Sequence, residues 1–206
     1  MDYQKQIEKI REIGKKVSLN EVTILTGKNG SGKSLVRKIV GSYIAQKLNL
    51  DPESSITSST SMQQRTESRS DFGAFSSFMH DSPDSPTSFE TFYKIKTLLK
   101  SCSEQKRFII IDEPEIGMGE ELVMSLVNWL NSIFNPIPQN CYGILVITHN
   151  RYIVQNLKGT FLNFEDMSRE EWLNREIVPV DLETFEKESS ELFHAIQDIL
   201  NSKEKD

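Results

Sequence analysis

Gly27-Lys28-Asn29-Gly30-Ser31-Gly32-Lys33-Ser34 follows the apolar run Val22-Thr23-Ile24-Leu25 after one residue, Thr26, and has the spacing G-x-x-x-x-G-K-S of a phosphate-binding P-loop. Glycines at 27, 30 and 32 let the backbone turn tightly enough for the N–H groups of Asn29, Gly30, Ser31 and Gly32 to converge on phosphate oxygens. The helix expected to begin near Lys33 adds the positive end of its dipole. Lys33 is placed to reach the β- and γ-phosphates, and the Ser34 hydroxyl to hold Mg²⁺. A Gly/Ser/Lys surface turn has the same composition, but its glycines and lysine have no reason to stand between a β-type run and a helical pattern. The stretch implies a nucleoside triphosphate ligand and an α/β fold.

Working outward, Arg107-Phe108-Ile109-Ile110-Ile111-Asp112-Glu113-Pro114 carries four consecutive bulky apolar residues ending in a pair of carboxylates. Such a run reads as a parallel strand buried on both faces, whose carboxyl end presents acids to a ligand. Asp112 is the expected Mg²⁺ ligand, and Glu113 the residue that polarises an attacking water. A core strand running into a solvated acidic turn would look similar in isolation; the P-loop upstream favours the functional reading. A third run, Gly143-Ile144-Leu145-Val146-Ile147, ends in Thr148-His149-Asn150. An isolated histidine is usually a structural donor. At the end of a strand that follows the acidic one, the His149 imidazole can instead donate to the γ-phosphate or position water.

Taken in this order, the three motifs resemble those of the ABC-type ATPase superfamily, and they span residues 22 to 150, about two thirds of the chain. The resemblance implies a P-loop NTPase fold, three-layered with a mainly parallel central sheet and shaped as an ABC-ATPase head. Walker A then falls on Lys33 and Ser34, Walker B and the catalytic glutamate on Asp112 and Glu113, and the switch histidine on His149. Asp112-Glu113-Pro114-Glu115-Ile116-Gly117 lacks the threonine that transporter subunits favour after the proline. It is similar to the soluble branch that includes SMC-like, recombination-repair and OLD-type phage-defence ATPases.

The chain departs from that family in several places. No Leu-Ser-Gly-Gly-Gln signature is present; Pro86-Thr87-Ser88-Phe89-Glu90-Thr91 stands in its place, with phenylalanine where glycine is expected. Two readings stand side by side. Thr87 with Glu90 forms a capping box that simply starts a helix, or Ser88 at that helix N-terminus serves the γ-phosphate of a partner subunit. Gln63 or Gln64 lies in the interval where a Mg²⁺-contacting glutamine is expected, within a Ser/Thr-rich stretch that reads equally well as a polar loop. Gly117-Met118-Gly119-Glu120 holds no aspartate of the kind that communicates across the family's dimers. The region before the P-loop strand is too short for the family's antiparallel β-subdomain, leaving Tyr3 as a weak candidate for stacking on adenine. With about fifty residues between Ser34 and Pro86, the chain reads as a head without coiled-coil arms.

The remaining sequence frames these motifs. A chain of 206 residues suits one domain, 1–206. Helices are expected over 3–15, 33–47, from about 87 to 102, over 119–134 with Leu122, Leu126, Leu130 and Phe134 in phase, over 151–157 and over 181–202. The last of these, with a strand over 160–164, would complete the domain. Residues 51–88 read as a long Ser/Thr/Asp/Pro loop with interspersed phenylalanines, a lid candidate. Trp172 and Leu173 read as an anchoring core contact.

With 37% hydrophobic and 26% charged residues, no signal-peptide core, no apolar run of membrane-spanning length and two cysteines in no metal or redox spacing, the chain is expected to be cytoplasmic. A formal charge of −6 argues against a strongly basic nucleic-acid surface; the nearest patch is Lys5, Lys9, Arg11, Lys15 and Lys16 on the first helix. The expectation is therefore an ATPase that uses ATP and Mg²⁺ and dimerises on ATP, in DNA repair or phage defence. The alternatives are a slow, nucleotide-gated subunit acting through a separate partner or effector protein, the driving subunit of a membrane transporter, and a P-loop kinase.

Overall fold

A computed structural model describes residues 3–27, 33–49, 56–59, 87–102, 104, 106–187 and 190–191. Helix α1 (Tyr3–Lys16) leads into β1 (Val22–Thr26), and α2 (Lys33–Leu48) into β2 (Ile56–Ser59). Then α3 (Thr87–Ser101) precedes β3 (Arg107–Asp112), α4 (Glu120–Ile133) precedes β4 (Cys141–Ile147), and α5 (Arg151–Asn156) precedes β5 (Thr160–Asn163). The short helix α6 (Arg169–Asn174) follows. All strand pairings are parallel, in the order β2-β3-β4-β1-β5.

The continuous apolar runs form strands because both faces of the sheet are covered. Successive side chains alternate across a strand, so Phe108 and Ile110 of β3 pack with Ile10, Ile13 and Val17 from α1 and its end and with Val40 and Ile44 of α2. Ile109 and Ile111 point the other way, into a core built from Ile95 and Leu99 of α3, Leu126 and Leu130 of α4, Ile153 of α5 and Trp172 of α6. The result is three layers around a parallel sheet, the fold of a P-loop NTPase. Chain direction explains the partition. The β1-to-β2 connection crosses the sheet one way with α2, whereas the later connections run the other way with α3, α4 and α5. Right-handed crossovers of opposite direction must lie on opposite faces.

Several details differ from the sequence expectations. Residues 56–59, inside the stretch read as a loop, form edge strand β2, with Ile56 opposite Phe108 and Ser59 opposite Ile111. The rest of that stretch between 60 and 86, including the lid candidate, lies outside the described residues. β4 begins at Cys141 rather than Gly143. On α4, Leu126 and Leu130 are buried as read, with Phe134 at its C-cap, but Leu122 is exposed and Val123 and Val127 complete the buried stripe. Lys9 is drawn out of the basic patch by an ion pair with Asp166 at 2.8 Å. Trp172 is fully buried, as an anchoring contact requires, and it does so from a helix whose start, a Ser168–Glu171 capping box, was not read from the sequence. The closing helix is seen over 182–187 and 190–191; Leu192, Phe193, Ile196, Ile199 and Leu200 lie outside the described residues. Among the described residues no helix is long and apolar enough to cross a membrane.

Candidate functional site

Because all the strands are parallel, their carboxyl ends share one edge of the sheet, and β4 lies between β1 and β3. Register brings the motif residues into a row: Leu25 stands opposite Ile147, and Ile147 opposite Asp112. One step further, the Glu113 N–H donates to the Ile147 carbonyl at 2.8 Å and the Thr148 N–H to the Leu25 carbonyl at 3.0 Å. The P-loop strand, the acidic strand and the Thr-His strand therefore end side by side. Helix α2 starts at Lys33, and Ser88 lies in the first turn of α3.

At the end of β3 the chain turns sharply. Asp112 is buried, with 5% of its surface exposed. Glu113 adopts a left-handed backbone, φ 48°, a conformation that costs a residue with a Cβ about 1–2 kcal/mol. Successive turns follow, with the Ile116 N–H on the Glu113 carbonyl at 3.1 Å and the Met118 N–H on the Glu115 carbonyl at 3.0 Å. Gly117 supplies the positive φ of 75° that this reversal needs. The outcome is that the Glu113 carboxylate projects toward the end of β4, where its Oε1 lies 3.8 Å from His149 Nε2. Both side chains keep about a third of their surface accessible, 33% for Glu113 and 27% for His149. That separation is longer than a direct hydrogen bond and short enough for one water to reach both groups.

The sequence reading overlooked Glu115. Its Oε1 accepts a hydrogen bond from the Thr148 hydroxyl at 2.6 Å and another from the His149 backbone N–H at 3.2 Å. Oε2 is sealed from solvent and has no hydrogen-bond partner among the described residues. Burial pushes the Glu115 carboxyl above the usual glutamate range, the nearby Glu113 charge adds to this, and the bonds from Thr148 and His149 work against it. The available signal was the second glutamate of Asp112-Glu113-Pro114-Glu115, an acid placed where a turn must fold back onto the neighbouring strand.

The structure thus brings together Asp112, Glu113 and His149, with Gly27 buried at the end of β1. Asn29, Gly30, Ser31 and Gly32 lie outside the described residues, as do Gln63 and Gln64. Lys33 and Ser34 are placed by their backbone in the first turn of α2, and Tyr3 by its backbone at the start of α1; their side chains lie outside the described set. The donors fit a polyphosphate with a hard divalent cation. The buried Asp112 carboxylate supplies oxygen, and the sixteen-residue helix α2 follows β1, two strands along the sheet from β3. Away from the site, Cys102 and Cys141 are free and buried, and the Cys102 sulfur, then burial, push the Cys141 thiol up.

No protein-family model matches the chain, and no curated protein matches it. Among solved structures it is similar to C. elegans PCH-2, with a TM-score of 0.40 and 16% identity over 81% of this chain and 41% of that one. It is also similar to a chain of the E. coli MS115-1 HORMA:CdnC:Trip13 complex, with a TM-score of 0.39 and 15% identity over 77% of this chain and 53% of that one. This chain therefore spans less than two thirds of either. At that level of likeness the functional reading rests on the site's own residues.

Proposed function

We propose that the chain is an ATPase of the ABC type, from the soluble branch without transporter partners, acting as a switch that dimerises on binding ATP. The observation that carries the proposal is the approach of Glu113 to His149, 3.8 Å apart at the carboxyl edge of the sheet beside the P-loop strand. On this reading the P-loop amides from Asn29 to Gly32 and the Lys33 ammonium bind the phosphates. Ser34 and Asp112 hold Mg²⁺, whose role when bound is to neutralise charge on the phosphates. Glu113 orients and polarises the attacking water, and the His149 imidazole donates to the γ-phosphate or to that water. Ser88, at the start of α3, is the residue a second copy would offer to the phosphate from across the dimer. ATP held between two copies would stabilise the dimer and hydrolysis would release it, which is how the energy of turnover reaches another protein.

Glu113→Gln tests this directly. The variant is expected to bind ATP, to turn over about 10²- to 10⁴-fold more slowly, and to run as a dimer in solution only with ATP and Mg²⁺. Hydrolysis at the wild-type rate would remove Glu113 from its assigned role.

A second reading, a nucleotide-gated subunit with slow turnover that works through a separate partner protein, is favoured by one feature. Phe89 and the absence of Leu-Ser-Gly-Gly-Gln leave the trans-acting signature incomplete. Negligible turnover by the purified protein, rising when a partner or DNA is added, would identify it.

A further inference from the structure

The sheet ladder that aligns β3 with β4 stops at the Asp112–Ile147 pair. Beyond it the two chains must diverge, yet Glu113 and His149 meet. Two of the connections that cross the gap come from the acidic turn. One is the Glu113 N–H to the Ile147 carbonyl, which sets the acidic turn, while on the other side of β4 the Thr148 N–H is held by the Leu25 carbonyl of β1. The other is the Glu115 carboxylate, which takes both the Thr148 hydroxyl and the His149 N–H on a single oxygen.

From there the bonding continues. Thr148 Oγ1 accepts from the Asn150 N–H at 3.0 Å, and Asn150 Oδ1 accepts from the Ile153 N–H at 3.1 Å, capping α5. The Glu115 carboxylate therefore joins the Leu25 carbonyl in anchoring the passage from strand to helix on which the imidazole is mounted, and alone of the two it holds the His149 N–H. That carboxylate is kept in place although burial disfavours its charge, no cation is paired with it in the described structure, and Oε2 makes no hydrogen bond there. A buried acid retained at such a cost is accounted for when it fixes one arrangement among several of similar energy.

We infer that Glu115 is a positioning residue. Through Oε1 it holds Thr148 and the His149 backbone so that the imidazole stands beside Glu113. The inference deepens the proposed ATPase reading and rests on it for its kinetic consequence, whereas the placement of the imidazole is independent of turnover. Because the role requires an acceptor and not a charge, glutamine should fill it and alanine should not.

The experiment compares Glu115→Ala with Glu115→Gln in the full chain. Alanine is expected to lower kcat by roughly 100-fold, the scale of a misplaced catalytic group, while leaving ATP affinity unchanged, because the bonds it removes go to Thr148 and His149. Glutamine is expected to restore most of the lost kcat. The second readout is the ¹⁵N–¹H ring correlations of His149 in the nucleotide-free protein, assigned among the three histidines of the chain by their loss in His149→Ala. They should shift or broaden in Glu115→Ala and keep their wild-type positions in Glu115→Gln. Ring signals unmoved by alanine, wild-type kcat in the alanine variant, or a glutamine variant as impaired as alanine would each overturn the inference. If Glu113→Gln hydrolysed ATP normally, the proposed function would fall, and the ring signals alone would still decide the role of Glu115.

Discussion

At the scale of single residues, the acidic turn combines a conformational cost with a desolvation cost two positions on. Glu113 occupies the left-handed region, and Glu115 carries a desolvated carboxyl. Glu113→Gly should therefore raise stability by about 1 kcal/mol in a denaturant titration while abolishing turnover, since glycine adopts φ 48° freely and offers no carboxylate. A drop in stability would mean that the Glu113 side chain supports the fold. For Glu115 the sign follows from its raised proton affinity in the folded state. The folded protein holds that proton more tightly than the unfolded chain, so ionisation weakens the fold as pH climbs from about 4.3, the ordinary glutamate value, through the raised one. Glu115→Gln should then unfold at a higher temperature than wild type at neutral pH, and its advantage should shrink toward acid. A gap that stays constant with pH would exclude burial as the cause.

At the scale of elements, the parts of the fold legible in the sequence were those whose pattern is local. Four apolar residues before Asp112 and five before Thr148 announce buried strands, and both formed. β2 was not legible, because Ile56-Thr57-Ser58-Ser59 has one large apolar side chain in a polar stretch and becomes a strand by pairing with β3. α6 was missed for a different reason: its charged start and single fully buried side chain, Trp172, make no apolar stripe, although its capping box was present.

Packing at this scale makes two predictions. Trp172 is fully buried, with the Arg175 guanidinium 4.6 Å from its ring centre and the Phe161 ring 6.5 Å away. Trp172→Ala should cost about 3–5 kcal/mol, and Trp172→Phe clearly less. Gly159, φ 156°, precedes β5 where it passes β1, and a Cβ there would lie 2.4 Å from the Val22 carbonyl oxygen. Gly159→Ala should thus destabilise by roughly 1–3 kcal/mol, readable as a lower unfolding midpoint; a neutral result would mean that β5 can move away from β1.

At the scale of the whole molecule, the site is a property of strand order. Gly27, Asp112, Glu113 and His149 are distant along the chain, and what gathers them is β4 lying between β1 and β3. The motifs announced which residues belong together. The Glu115 contact was hidden because it depends on how two loops meet past the ends of the strands, which no periodicity encodes. A ligand bridging those strand ends should stabilise the entire sheet: ATP with Mg²⁺ at a hundred times its dissociation constant is expected to add about 2.7 kcal/mol to unfolding, and Lys33→Ala to remove the effect. The same arrangement sorts the backbone by how readily it opens. β3 and β4, flanked on both sides and covered on both faces, should be the last amides to exchange in heavy water. The acidic turn from Pro114 to Gly119, closed by short turn hydrogen bonds, should take up deuterium sooner, whereas Thr148 and His149, whose amides are bound to the Leu25 carbonyl and to Glu115, should follow the sheet, so the timing of any nucleotide-driven movement belongs to that turn and the sheet beneath it keeps still.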